Sequence, residues 1–188
     1  MSDRVMTDMR KSMEYVKVAQ PILKKLLHGG EIMPVEGDDN EVCKMLDMTC
    51  GTDYFHVYAD RGLVWGVASR VQEYDPDKDF CNKGPFNTFT IRKERASGAR
   101  TELDKRRYAI KKGGVYPFLT MQAYINIKTG KIESLAVVKT TDLMEYIDKG
   151  SAEERHTGKD QHGQAAFLFV PWDALIKDGY NVLKYQAA

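Results

Sequence analysis

Apolar residues recur at intervals of three and four positions over residues 3–28, and this period predicts an amphipathic helix. Pro21 is expected to kink this helix or to divide it in two, because proline lacks the backbone donor that a helix interior needs. The pair Gly29-Gly30 is expected to end it. Further helices are predicted over residues 101–112, over residues 141–149 and from residue 171 onward.

Shorter segments alternate between apolar and polar residues and predict β-strands. The predicted strands span residues 31–35, 43–48, 54–58, 63–72, 87–93, 118–128, 131–139, 164–170 and 180–185. The strands over 54–58 and 63–72 are expected to form a hairpin. The strand over 87–93 is expected to be their next neighbour in one sheet, because short connections usually join adjacent strands. Residues 150–163 are predicted to be a polar loop.

The order of these elements is helix, three or four strands, helix, two strands, helix, strand, helix and strand. This order predicts an α+β protein with a mixed central β-sheet flanked by helices. With 188 residues and no internal repeat or linker, the whole chain, residues 1–188, is expected to be a single domain.

The sequence favours an intracellular protein. No apolar run approaches the roughly 20 residues that a membrane-spanning helix needs, and charged residues interrupt the N-terminal segment where a signal peptide would have its apolar core. The three cysteines form no Cys-x-x-Cys pair, which favours reduced thiols over a zinc site. We therefore expect a cytoplasmic location and no membrane partner.

Charge is distributed unevenly along the chain, although the formal net charge is only +1. Residues 31–60 contain eight acidic residues and one basic residue, a local charge of −7. Residues 92–112 contain nine basic and three acidic residues, a local charge of +6. An acidic centre beside a basic tract suits a metal-dependent enzyme that acts on phosphodiesters. Two solvated faces of opposite composition would give the same counts.

The acidic stretch contains two aspartates, Asp47 and Asp53, on either side of a bend at Gly51. On the strand that follows, Arg70 and Gln72 are two positions apart and therefore project from the same face. Mg²⁺ prefers hard oxygen ligands such as carboxylates, so the aspartates are candidate metal ligands. Aspartate is also common beside glycine turns for structural reasons alone, and that interpretation stays open.

The segment Gly51-Thr52-Asp53, with Arg70 and Gln72 on a following strand, resembles the PD-(D/E)xK nuclease superfamily. Its members share a helix, a β-meander, a second helix and a further strand. An aspartate starts the second core strand, and a (D/E)xK or QxK motif lies on the third. The resemblance covers residues 40–140. It implies a restriction-endonuclease-like core and a Mg²⁺- or Mn²⁺-dependent nuclease of phage or mobile-element origin.

The resemblance also implies roles for individual residues. The metal ion would be held by Asp53, Asp47 and Glu41, with Glu14 as an alternative third acid. Asp53 and Asp47 would be catalytic, together with Arg70, which would offset charge on the phosphorane, and Gln72, whose amide oxygen would face the cation. The family pattern has an acid two residues before a lysine on the third strand, and the chain departs from it because the same-face residues Ala68, Arg70 and Gln72 include no acid. This departure favours a second hypothesis, a non-catalytic module on the same fold that binds nucleic acid or inhibits a host protein.

The basic tract supplies the candidate nucleic-acid contacts. These are Arg92, Lys93, Arg95, Arg100 and Lys105. The helix predicted after Arg100 has Thr101 as a favoured N-cap residue, and a helix N-terminus attracts phosphate. A solvated loop is the alternative. DNA is expected in preference to RNA, and a homodimer is compatible with the sequence. A third hypothesis, a protein-interaction domain that binds no nucleic acid, predicts no salt-sensitive DNA binding.

Overall fold

A computed structural model describes residues 3–35, 40–77, 86–95, 97–156 and 165–187, and the side chains from residue 14 onward within these ranges. The strands are β1 (Glu31–Pro34), β2 (Tyr54–Tyr58), β3 (Leu63–Tyr74), β4 (Thr88–Arg92), β5 (Leu119–Asn126), β6 (Lys131–Lys139), β7 (Glu153–His156), β8 (Ala166–Pro171) and β9 (Val182–Gln186). The α-helices are α1 (Asp3–Leu26), α2 (Glu41–Met45), α3 (Glu102–Lys112), α4 (Thr140–Asp148) and α5 (Trp172–Lys177).

A six-stranded mixed sheet organises the fold, in the order β1-β2-β3-β5-β6-β9. Strands β3 and β5 are parallel, with Arg70 opposite Gln122, and the other neighbouring pairs are antiparallel. Every residue of β5 is buried, as expected for a central strand that is covered on both faces. The prediction of an α+β protein with a mixed sheet and flanking helices is therefore confirmed.

A second sheet has three strands in the order β4-β8-β7. The prediction that residues 87–93 continue the first sheet is wrong, because β5 occupies the place beside β3 and β4 pairs with β8. Phe89 and Ile91 of β4 belong to a hydrophobic cluster that also contains Tyr124 of the first sheet. The apolar face of β4 therefore packs on the first sheet instead of extending it.

The segment between residues 40 and 51 is helical, so the strand predicted over 43–48 is wrong. Asn40 caps α2 by accepting a hydrogen bond from the backbone N–H of Val42 at 2.9 Å. A single π-helical turn, Leu46–Cys50, continues α2 and ends at Gly51, whose φ of 68° is left-handed. A strong N-cap outweighs a short apolar run that does not itself distinguish strand from helix.

Part of the loop predicted over 150–163 is also a strand, since residues 153–156 form the exposed edge strand β7. Residues 157–163 of that segment lie outside the described residues. The helix α1 runs through Pro21 as one element, so Pro21 does not divide the helix in two. Strands β2 and β3 form the predicted hairpin.

Different elements cover the two faces of the six-stranded sheet. On one face, Ala19 and Leu23 of α1 pack in a cluster with Val67 and Leu135. On the other face, α4, α5 and the second sheet enclose a cluster around Trp172. None of the helices in the described ranges has the length and apolar character that a membrane span requires.

Candidate functional site

A cavity of about 150 Å³ lies where β3 and β5 approach β4 and α3. The charged side chains that line it are acidic Asp47, Asp53 and Glu102 and basic Arg70, Arg95, Lys105 and Arg106. They come from the π-helical turn, the start of β2, β3, the segment after β4, and α3. Residues far apart in sequence therefore form one polar site at this end of the fold.

Asp53 lies between the π-helical turn and β2, and its backbone is bonded on both sides. Its N–H donates to the carbonyl of Val67 at 3.0 Å, and its carbonyl accepts from the N–H of Val35 at 2.9 Å. Its carboxylate oxygen Oδ2 accepts from the backbone N–H of Ser69 and from the Ser69 hydroxyl, the latter at 2.9 Å. The carboxylate is thereby held against β3, one residue before Arg70.

Asp47 lies on the π-helical turn and is half-buried. Burial raises the pKa of its carboxyl group, and the positive charge of Lys105 partly opposes this effect. Lys105, on α3, therefore supplies a positive charge near Asp47. The turn that holds Asp47 is the segment whose strand prediction failed, so its position could not have been derived from strand geometry.

Arg70 and Glu102 form an ion pair that joins β3 to α3. The guanidinium Nη2 of Arg70 donates to Oε1 of Glu102 at 2.5 Å, and the two side chains are 22% and 29% exposed. Burial alone would raise the pKa of Glu102. The charges of Arg70 and Arg106, with the hydrogen bond from Arg70, overcome that effect and lower the pKa of Glu102.

Arg106 is the deepest of the cations. It lies on the buried face of α3 with Leu103 and Ala109, and only 5% of the residue is exposed. Its nitrogen Nη1 is buried and has no hydrogen-bond partner among the described residues. Burial lowers the pKa of Arg106, and the negative charges of Glu102 and Asp53 oppose that shift.

The structure brings together half of the residues that the sequence singled out. Those that line the cavity are Asp47, Asp53, Arg70, Arg95 and Lys105. Glu41 does not line it, because it starts α2 with its side chain 93% exposed and lies 3.8 Å from Lys44. Gln72 does not line it either, because its amide oxygen accepts from Gln122 at 2.9 Å and from Thr90 at 3.4 Å.

The other candidate nucleic-acid contacts have partners outside the cavity. Lys93 donates to Glu154 at 2.5 Å. The guanidinium of Arg92 lies 5.4 Å from the ring centroid of Phe167, and that of Arg100 lies 5.2 Å from the ring centroid of Tyr108.

The N-terminus of α3 is satisfied by its own residues. Thr101 accepts from the backbone N–H of Asp104, whose carboxylate accepts in turn from the backbone N–H and hydroxyl of Thr101. This capping box occupies backbone donors that an anion would otherwise use. A phosphate near this end would therefore be bound mainly by side chains.

The carboxylates of the cavity are not grouped as a set of metal ligands in the described part of the chain. Within the described ranges, no group of three or more His, Cys, Asp and Glu side chains is placed so that it could hold one. Asp53 is bonded to Ser69 and Glu102 is paired with Arg70, while four cations line the same cavity. The Mg²⁺ or Mn²⁺ site stays a prediction.

Sequence reasoning missed two central residues, Glu102 and Arg106. Both lie in the basic tract, where Glu102 counted only as one of three acidic residues and Arg106 as one of nine basic residues. A signal was present in the spacing. Arg106 stands at the same helical spacing as Leu103 and Ala109, on the apolar stripe of α3. An arginine at a core position of an amphipathic helix indicates a buried polar site.

No family model, curated protein or solved structure gives a significant match to this chain.

Proposed function

We propose that the chain is a nucleic-acid-binding protein with a restriction-endonuclease-like core, and that the cavity binds a backbone phosphate. One observation carries the proposal. Four cationic side chains converge on one cavity and outnumber its three carboxylates. Arginine presents planar donors that match the oxygens of a phosphate, and lysine adds a point charge.

The chain order of the elements supports the proposed core. A helix, α1, is followed by the meander β1-β2-β3, by a second helix, α3, and by a further strand, β5. This is the order that the resemblance to PD-(D/E)xK nucleases implies, with two insertions: α2 and the π-helical turn between β1 and β2, and β4, which joins a different sheet. Asp53 directly precedes the second strand of the meander, and Arg70 lies on the third.

The carboxylates define how the site would work. Asp47 and Asp53 would repel a phosphate, so net attraction depends on the cations around it. Glu102 offsets the charge of Arg70 through their ion pair. Affinity should therefore be modest at high salt and should rise steeply as salt is lowered.

A second candidate function is metal-dependent cleavage of the bound phosphodiester. It is favoured by the position of Asp47 and Asp53 on the same cavity as the cations. Neither Glu41 nor Gln72 joins them there, so the ligand set implied by the resemblance is incomplete as the residues stand. Binding without cleavage is thus the better supported of the two functions.

One experiment tests both candidates. Single-stranded and duplex DNA and RNA are incubated with the protein in Mg²⁺, in Mn²⁺ and in EDTA, and binding and cleavage are read from the same samples. We expect binding that persists in EDTA and weakens as salt is raised. Loss of binding in EDTA with cleavage in Mg²⁺ would favour the metal-dependent enzyme. No binding to any nucleic acid at low salt would reject the proposal.

A further inference from the structure

We propose that Arg106 is the anion-binding anchor of the cavity and contacts a phosphate group directly. No motif in the sequence assigns this role, and the resemblance to nucleases names no residue of α3 for it. The inference deepens the proposed function and rests on it for the source of the phosphate. The binding site itself is argued from the environment of Arg106.

The side chain of Arg106 is buried and has an unsatisfied hydrogen-bond donor. Only 5% of Arg106 is exposed, and its nitrogen Nη1 has no hydrogen-bond partner among the described residues. An unsatisfied buried donor is unfavourable, and more so when the group is charged. Such a group persists at a functional site where a ligand supplies the missing acceptor. The cavity that Arg106 lines is where that ligand would lie.

The cations of the cavity differ in how they interact with its carboxylates. Arg70 has a direct ion pair with Glu102. Arg106 interacts with Glu102 and Asp53 through their charges, and Asp53 accepts hydrogen bonds from Ser69. Two carboxylates therefore keep Arg106 positively charged in the interior, and Nη1 keeps its hydrogen-bonding capacity because no described residue accepts from it.

The cations of the cavity determine which kind of anion it can bind. A buried guanidinium selects a compact anion with several oxygen acceptors, and a phosphate oxyanion meets this requirement through a bidentate pair. Lys105 is the residue before Arg106, and Arg95 approaches from the segment after β4. These two side chains are placed to bind the remaining oxygens of the same group.

The test measures phosphate binding without nucleic acid. Inorganic phosphate is titrated into the whole chain, and the melting temperature and binding isotherm are recorded. The variants are Arg106→Met, which keeps the length and removes the charge, and Arg106→Lys, which keeps the charge and loses the fork. Arg107→Met is the matched control, because Arg107 is the next residue on α3 but is half-exposed and pairs with Asp148.

We expect phosphate to raise the melting temperature of the wild type in a concentration-dependent way. Arg106→Met should weaken phosphate binding by at least about tenfold, the factor expected for a lost charged hydrogen bond. Arg106→Lys should retain part of the affinity, and Arg107→Met all of it. Without phosphate, Arg106→Met should melt below the wild type, because Glu102 and Asp53 lose a compensating charge, so phosphate affinities are compared at a temperature at which every variant is folded.

Other outcomes separate this inference from the proposed function. If the wild type shows no phosphate response, or if Arg106→Met and Arg106→Lys both bind phosphate as the wild type does, the anchor role is rejected. Salt-sensitive nucleic-acid binding that survives both substitutions would leave the proposed function in place without this anchor. A phosphate response that depends on Arg106, in a protein that binds no nucleic acid, would keep the anchor and reject the nucleic-acid function.

Discussion

Two groups of cations lie within the same basic stretch of sequence and have different surroundings. Arg106 and Lys105 line the cavity with three carboxylates, and Nη1 of Arg106 has no acceptor in the described part of the chain. Lys93 and Arg107 lie on the surface and pair with Glu154 and Asp148. The local charge of +6 over residues 92–112 counts both groups alike. Burial and pairing, which the local charge does not record, distinguish the two groups of cations.

The largest expected effect concerns the acids that balance the two groups. Glu102→Gln removes the carboxylate that lies between Arg70 and Arg106. Breaking a fully buried pair costs about 3–5 kcal/mol, and we expect about 2 kcal/mol here because the side chain is partly exposed. Asp148→Asn breaks the surface pair and should cost less than about 1 kcal/mol. Urea unfolding at neutral pH measures both, and equal losses would remove the distinction between the groups.

The next prediction compares nucleic-acid affinity. The cavity double variant Arg95→Ala with Lys105→Ala should weaken duplex DNA binding by at least about tenfold, and the slope of log affinity against log salt should flatten by about 1.8. The surface double variant Lys93→Ala with Arg100→Ala should change affinity by less than about threefold, because Lys93 is paired with Glu154 and Arg100 lies over the Tyr108 ring outside the cavity. Salt titrations by fluorescence anisotropy measure both. A larger loss for the surface double variant would indicate that nucleic acid binds at the surface around Lys93 and Arg100 instead of at the cavity.

A third prediction separates binding from cleavage at Asp53. In EDTA, Asp53→Asn should bind nucleic acid several-fold more tightly, because a negative charge leaves the cavity while the amide oxygen can still accept from Ser69. In Mg²⁺, the same variant should lose any cleavage and any metal-dependent rise in melting temperature. Asp60→Asn is the control, since Asp60 is exposed and lies beside Arg61. Full metal response and cleavage in Asp53→Asn would show that Asp53 holds no metal ion.

Local sequence signals were sufficient where an element depends on its own residues. The hairpin of β2 and β3 follows from two alternating runs and a short turn. The start of α3 follows from Thr101, whose capping box the structure contains. The aspartates of the cavity were named because a glycine bend lies between them.

Partners that are distant in sequence could not be derived in the same way. The place of β4 depends on pairing with β8, about 80 residues later in the chain. The ion pair of Arg70 with Glu102 joins β3 to α3 across 32 positions. Gln72 has the side-chain face that periodicity predicts, but its amide oxygen accepts a hydrogen bond from Gln122 of the parallel neighbouring strand. Periodicity gives the face of a residue, whereas its partner depends on which strands pair.

The smallest expected effect is the pH dependence of stability, and it distinguishes two acids of the same cavity. Burial raises the pKa of Asp47, so its contribution to stability is fully present below its unfolded-state pKa and is lost as pH rises through the folded value. Asp47→Asn imitates the protonated acid and should be more stable than the wild type at neutral pH, by about 0.5 kcal/mol. In acid this difference should disappear.

Glu102 should behave in the opposite sense. Although burial opposes its ionisation, Arg70 and Arg106 lower the pKa of Glu102, so its stabilisation is present above the unfolded-state pKa and is lost as pH falls through the folded value. Glu102→Gln should therefore be less stable than the wild type at neutral pH, and the loss should shrink in acid. Urea unfolding of both variants and the wild type at about pH 7 and about pH 3.5 spans the carboxyl range. As pH falls, the free energy of unfolding of Asp47→Asn should approach the wild-type value from above, and that of Glu102→Gln should approach it from below. If Asp47→Asn is instead less stable than the wild type at neutral pH, the cations of the cavity stabilise the Asp47 carboxylate more than burial destabilises it.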